Sequence, residues 1–374
     1  MQKKEKPDRG NGVSGKQNGV LIMAGGTGGH IFPGLAVADN LRHRGVNVRW
    51  LGARGGMECQ RVPQAGIPLD VVDISGLRGK GARRWILMPW KLLRAVFQAF
   101  MLLGDHRPAC AISFGGYAAG PGGLAARLRG IPLLVHEQNR IPGMTNRVLA
   151  KLAKKILQAF PGTWGSQLEP ETCGNPVRKP VVDLARPETR MAGRMGAVRV
   201  LVTGGSQGAR ALNRLVPEAL SSLPSGLAFE ARHQAGKGWK DETIEAYRSA
   251  GIDAEVTEFI DDMAGAFGWA DVVICRSGAL TVSELAAAGV AAVLVPFPHA
   301  VDDHQTRNAE FLVEAGAAVL MPEAGNNAQS LAAILDPLMA DREKLLSMAE
   351  KARSVSVPDS ADRVARLCLE YLAA

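Results

Sequence analysis

The sequence predicts an α/β protein of two doubly wound, Rossmann-like domains whose parallel sheets face each other across a cleft. Three observations predict it. Short apolar runs alternate with helix-length amphipathic stretches, the pattern of βαβ units. The pattern breaks near Gly174-Asn175-Pro176 and then starts again. Glycine-rich turns close three of the apolar runs at corresponding places. A length of 374 residues agrees, since domains run ~100–200 residues.

Residues 1–17 carry Lys3, Lys4, Lys6, Arg9 and Lys16 against Glu5 and Asp8. No apolar run backs them, so they read as a disordered basic tail rather than a signal peptide. Strands expected in the first domain, 18–175, are 20–24, 47–51, 69–74, 109–113 and 132–136. In the second, 176–357, they are 198–203, 227–234, 254–259, 271–275 and 291–296. A last helix occupies much of 358–374.

The net charge is +8, and the tail supplies only part of it. A basic body attracts nucleic acid, anionic membrane or phosphorylated substrates, and charge alone does not choose among them. Five scattered cysteines with no C-x-x-C pair read as free thiols in a reducing compartment and argue against a zinc site.

The three glycine turns are Gly25-Gly26-Thr27-Gly28-Gly29-His30, Phe114-Gly115-Gly116-Tyr117 and Gly204-Gly205-Ser206-Gln207-Gly208. Glycine lets a ligand approach main-chain N–H groups, and the helix that follows adds partial positive charge. One such loop is as readily a plain tight turn. Three in one chain favour an anionic ligand in the cleft. A nicotinamide dinucleotide fits poorly: Ile31 stands where the fingerprint needs its third glycine, and the second strand ends without an acid for the ribose.

In the second half, the run 271–275 leads through Arg276-Ser277-Gly278 into a helix that stops before Gly289. Ser277 is expected to cap that helix, with its free N–H groups toward a diphosphate. Glu284 lies two turns in, where it could take both hydroxyls of a ribose. Most helical glutamates are simply solvated.

Together the stretches GGTGGH, GGYAAGPGG, HEQN, GNPVR, GGSQGA, EFIDDM and RSGALTVSE, with His299, Asp302, His304, Gln305 and Asn308-Ala309 near the end, resemble the MurG family. These are peptidoglycan N-acetylglucosaminyltransferases of the GT-B fold. The resemblance runs from about residue 20 to the C-terminus and departs at His304, where glutamine is the pattern. It implies GlcNAc transfer from UDP-GlcNAc to lipid I, undecaprenyl-pyrophosphoryl-MurNAc-pentapeptide, giving lipid II for cell-wall synthesis. It also implies an acceptor role for 18–175, donor binding by 176–357, and a last helix that packs back on the first domain. Nucleic acid is not among the implied partners. The inner-membrane surface, on its cytoplasmic side, and other cell-wall synthesis proteins are.

Carried over residue by residue, the Ile260 main chain meets uracil, with Phe259 beside it, and Glu284 holds the ribose. Ser206, Gln207, Ala279, Leu280 and Thr281 meet the diphosphate. Gln305 and Asn308 read the GlcNAc hydroxyls, and Arg178 faces the nucleotide sugar. On the acceptor side, Thr27, Gly28 and Gly29 shape a site for the lipid pyrophosphate, and Tyr117 and Asn139 orient the acceptor.

An α-linked donor and a β-linked product imply one inverting displacement, which needs a base at the acceptor hydroxyl. His30 is the first candidate, with phosphate binding as its other reading; Glu137 stands at a neighbouring strand end. No D-x-D occurs, and the adjacent pairs Asp261-Asp262 and Asp302-Asp303 diverge, so no metal or other cofactor is expected.

A lipid acceptor requires a membrane-facing surface. Residues 75–103 combine Arg78, Lys80, Arg83 and Arg84 with Trp85 and Trp90, and Pro89, Lys91 and Arg94 rule out a span. Lys91, Arg94 and Gln98 share a helix face, so most of the apolar residues from Trp90 onward are expected in the core. That leaves Arg83, Arg84, Trp85 and Trp90 as the anchor, with Lys151, Lys154 and Lys155 extending it. Two other readings are a UDP-GlcNAc 2-epimerase, which needs no lipid, and a silent membrane scaffold that keeps UDP binding.

Overall fold

The computed structural model describes residues 19–74, 88–205 and 208–372. The basic tail, Arg78, Lys80, Arg83, Arg84, Trp85, Ser206 and Gln207 lie outside the described residues.

The first sheet comprises β1 (Val20–Ala24), β2 (Val48–Ala53), β3 (Leu69–Val72), β4 (Cys110–Gly115), β5 (Leu133–Glu137), β6 (Lys155–Gln158) and β7 (Glu171–Thr172). The second comprises β8 (Val198–Thr203), β9 (Phe229–Gln234), β10 (Ala254–Thr257), β11 (Val272–Cys275), β12 (Ala291–Leu294) and β13 (Ala318–Leu320). The strand orders are β3-β2-β1-β4-β5-β6-β7 and β10-β9-β8-β11-β12-β13. Every pairing is parallel. β1 is buried at every position, as a parallel strand covered on both faces must be.

Three short strands were not expected. β6 opens on a lysine, β7 has two residues and β13 three, too few for a periodic signal.

Helices that frame the cleft are α1 (Gly28–His43), α2 (Glu58–Gln64), α3 (Met88–His106), α4 (Ala119–Leu128), α5 (Met144–Ala150), α6 (Ala279–Ala288) and α7 (His304–Glu314). A final helix, α8 (Ser360–Leu369), buries Val364, Ala365, Leu367 and Cys368 in the core cluster that holds Val37 and Leu41 of α1. The Ser360 hydroxyl donates to the Asn175 carbonyl at 2.8 Å, tying the chain's two crossings between domains together. Between the domains, Phe160 packs on Phe311 with ring centroids 4.8 Å apart.

Candidate functional site

In both sheets the strand order reverses between the first strand and its β4 or β11 neighbour. The crevice beyond the carboxyl ends at that reversal is where doubly wound sheets bind ligands. The two crevices face each other and enclose a cleft of about 1940 Å³. Drug-sized ligands occupy roughly 300–1,000 Å³, so the cleft has room for two substrates.

Helices α1 and α6 both point their N-termini into the cleft, and neither is capped by a side chain. The first N–H groups of a helix have no partner inside it, so uncapped ends on opposite walls offer two anion sites. The cap expected from Ser277 is absent. Gly278 occupies the N-cap position, and the Ser277 hydroxyl is buried without a hydrogen-bond partner among the described residues.

Behind the first glycine loop lies a carboxylate the sequence did not reveal. Glu58 is fully buried and accepts from the N–H groups of Gly26 at 3.1 Å and Ala53 at 2.8 Å. A Cβ on Gly25, Gly52 or Gly56 would come within 2.3–2.6 Å of its side chain. These glycines make space for an acid as well as for a turn. Because Glu58 occupies the Gly26 N–H, an anion must turn to the start of α1 at Thr27, Gly28 and Gly29.

His30 lies between two glycine turns. Its Nδ1 is 3.1 Å from the Gly25 carbonyl, and a Cβ on Gly115 would sit 3.3 Å from its Nε2. A carbonyl only accepts, so Nδ1 is the donor, and the tautomer this selects has its acceptor nitrogen at Nε2. The ring lines the cleft, as does Tyr117.

Glu137 lines the cleft. It is buried, and its Oε1 accepts from the main-chain N and Nδ2 of Asn139 while its Oε2 accepts from Gly143 N and Asn146 Nδ2. Four donors at 2.9–3.1 Å surround the carboxylate, which holds the 138–143 loop. Next to it, His136 is wholly buried, which pushes its pKa down to about 4, and its Nε2 meets the Gly174 carbonyl at 2.9 Å.

Glu284 is not a solvated helical glutamate. It is buried, lines the cleft, and takes both Nε and a terminal nitrogen of Arg178 on Oε1 at 3.0 and 2.7 Å. Burial pushes its carboxyl up, and the Arg178 guanidinium pulls it back. Arg178 lines the cleft beside Glu284, with Phe32 under its guanidinium. Ala279, Leu280, Thr281, Phe259 and Ile260 line the same wall. Gln305 lines the cleft and is anchored by Phe297 N, which donates to its Oε1 at 2.9 Å and so makes the other end of the amide the donor. Arg276 is spent on Glu323 at 2.6 Å and on two carbonyls.

Asn308 is wholly buried and is not among the residues that line the cleft; its amide joins the two domains.

The outer face of the first domain also differs from expectation. In α3 the buried residues are Ala95, Val96, Ala99 and Leu103. Trp90, Leu93, Phe97 and Met101 form an exposed stripe on the far side, and Leu128, Met144 and Val148 of α4 and α5 are exposed as well. Lys155 pairs with Glu171 across β6 and β7 at 2.9 Å. No described helix is long and apolar enough to cross a membrane.

Two Rossmann-like domains with matched strand orders and a shared cleft define the GT-B class of glycosyltransferase. The comparisons narrow it: the Glycosyltransferase family 28 N-terminal domain matches residues 20–158 and its C-terminal domain matches 199–364, and the chain belongs to that family. Relatives named UDP-N-acetylglucosamine--N-acetylmuramyl-(pentapeptide) pyrophosphoryl-undecaprenol N-acetylglucosamine transferase are similar over nearly the whole chain. The one from Xanthomonas campestris pv. campestris (strain B100) is 55% identical, covering 94% of this chain and 81% of that protein. The one from Marinobacter nauticus is 51% identical, covering 94% and 96%. Among solved structures, Acinetobacter baumannii MurG superposes with a TM-score of 0.82 at 40% identity, covering 94% of this chain and 99% of that one. A UDP-GlcNAc 2-epimerase from Neisseria meningitidis reaches 0.65 at 12% identity, a likeness of fold alone.

Proposed function

We propose that this protein transfers GlcNAc from UDP-GlcNAc to the MurNAc of undecaprenyl-pyrophosphoryl-MurNAc-pentapeptide, with inversion, giving lipid II for peptidoglycan synthesis. The observation that carries this reading is identity above one half, across 94% of the chain, to transferases named for that reaction.

In this reading the donor lies against the second domain. Its ribose hydroxyls donate to Glu284, its uracil meets the Ile260 main chain, and its diphosphate faces the uncapped start of α6 with Ser206 and Gln207. Gln305 donates to the sugar. The acceptor pyrophosphate meets the start of α1. His30 Nε2 takes the proton of the acceptor hydroxyl as that oxygen bonds to the anomeric carbon. The bond from that carbon to the diphosphate breaks, and its electron pair leaves with UDP. Helix N–H groups offset the charge that develops there, and the step as written calls on no metal.

The exposed stripe of α3 then enters the interface of the cytoplasmic leaflet, peripherally. Lys91, Arg94, Lys151 and Lys154 each add ~1 kcal/mol near anionic lipid. The test is purified protein with radiolabelled UDP-GlcNAc and a short-chain lipid I analogue. Label in the lipid supports the transferase; labelled UDP-ManNAc would point to an epimerase, and turnover of neither to a scaffold. On anionic vesicles, a Phe97→Ser and Met101→Ser double variant should sediment less than the parent protein; equal sedimentation would overturn the membrane face.

A further inference from the structure

The Asn308 side chain touches three parts of the site at once. Its Oδ1 accepts from Arg140 N at 2.9 Å, and its Nδ2 donates to Asn139 Oδ1 at 3.2 Å and to the Ser277 carbonyl at 3.3 Å. A main-chain N–H can only donate and a carbonyl can only accept, so both ends of the amide are fixed in one orientation. Arg140 and Asn139 belong to the acceptor-side loop, Ser277 leads into α6, and Asn308 stands on α7 behind Gln305. Asn139 in turn is gripped by Glu137 at its main-chain N and its Nδ2, and by the Thr163 hydroxyl at its carbonyl.

We propose that Asn308 is a positioning residue: it fixes the Asn139 side chain at the cleft and sets the acceptor loop against the donor-binding helices. This rests on the transferase reading above. With its oxygen held by Asn308 and one amide hydrogen held by Glu137, Asn139 has a single N–H left for the acceptor, in one direction. Losing Asn308 frees that amide to rotate and lets the acceptor loop move relative to α6 and α7. Arg140 reinforces the contact at the far end of α7 through Glu314, at 2.9 and 3.0 Å. That pair is exposed and adds little by itself.

The test is a double-mutant cycle in the full chain, with Asn308→Ala, Asn139→Ala and both together, assayed with UDP-GlcNAc and a short-chain lipid I analogue. Asn308→Ala should lower kcat by about tenfold while the donor KM stays within about twofold. The double variant should then be no more than about twofold slower than Asn139→Ala alone, because the two act through one contact. Asn308→Asp keeps the acceptor oxygen and the volume but loses the donor, so it should show the same kcat loss with unchanged UDP affinity by calorimetry. Multiplicative losses in the cycle overturn the proposal. So does a raised donor KM with kcat retained, which would make Asn308 a sugar contact. An inactive parent protein would instead overturn the transferase reading on which the proposal rests.

Discussion

The first domain surrounds its buried carboxylates with donors from its own backbone and loops, whereas the second holds one at the cleft with a single guanidinium. Glu58 takes two main-chain N–H groups, and Glu137 takes four donors. Glu284 is just as buried, yet both donors it receives come from one guanidinium and land on one oxygen. The strand order is shared, so topology does not set this difference. It lies in what each acid finds within reach. An acid saturated by main-chain donors shapes a loop; an acid held by a single cation keeps capacity for a ligand.

The largest effect should come from the candidate base. His30→Ala is expected to lower kcat by ~10²–10⁴-fold, the range of a positioned general base, with donor KM little changed. If only the acceptor KM rises, His30 holds a phosphate and moves no proton.

The two acids then separate the walls. Glu284→Gln should raise the donor KM by roughly 10–100-fold, the worth of one or two charge-assisted hydrogen bonds, and leave acceptor KM near its parent value. Glu58→Gln should do the reverse by about tenfold, since an amide NH₂ then faces a main-chain N–H and the first glycine loop shifts. Matching KM changes in the two variants would erase the distinction between the walls.

The smallest effect near neutral pH concerns His136, wholly buried near the end of β5 in the first sheet. Its folded pKa of about 4 lies below the unfolded value, so between about pH 6.5 and 4 the unfolded chain binds a proton that the folded chain refuses. Its contribution to stability is present above that window and lost as pH falls through it. Melting temperature should drop on acidification from pH 7 to 5, and a His136→Gln variant should drop less steeply.

Much of this was legible in the sequence because parallel strands buried on both faces read as unbroken apolar runs, and because glycine turns fall where such strands end. The partners of those turns were not legible. Glu58 lies 32 residues from Gly26, and nothing in Met57-Glu58-Cys59 distinguishes a buried acid from a solvated one. The resemblance implies a sugar contact for Asn308, and its partners Arg140 and Asn139 lie 168 and 169 residues away, on the other domain. Helix α3 misled for another reason. Its alanines bury one face and its large apolar residues cover the other, so the polar strip of Lys91, Arg94 and Gln98 marks an edge rather than the boundary with water.

The Glu58 corner also limits how this loop can drift. A methyl group at Gly25, Gly52 or Gly56 collides with the acid unless the acid shrinks, and a shorter acid no longer reaches both N–H groups. None of the four positions can accept a change singly without harm. They should therefore vary as a block or not at all, and the epistasis should show as a triple-glycine requirement that vanishes in chains lacking an acid at the fourth position.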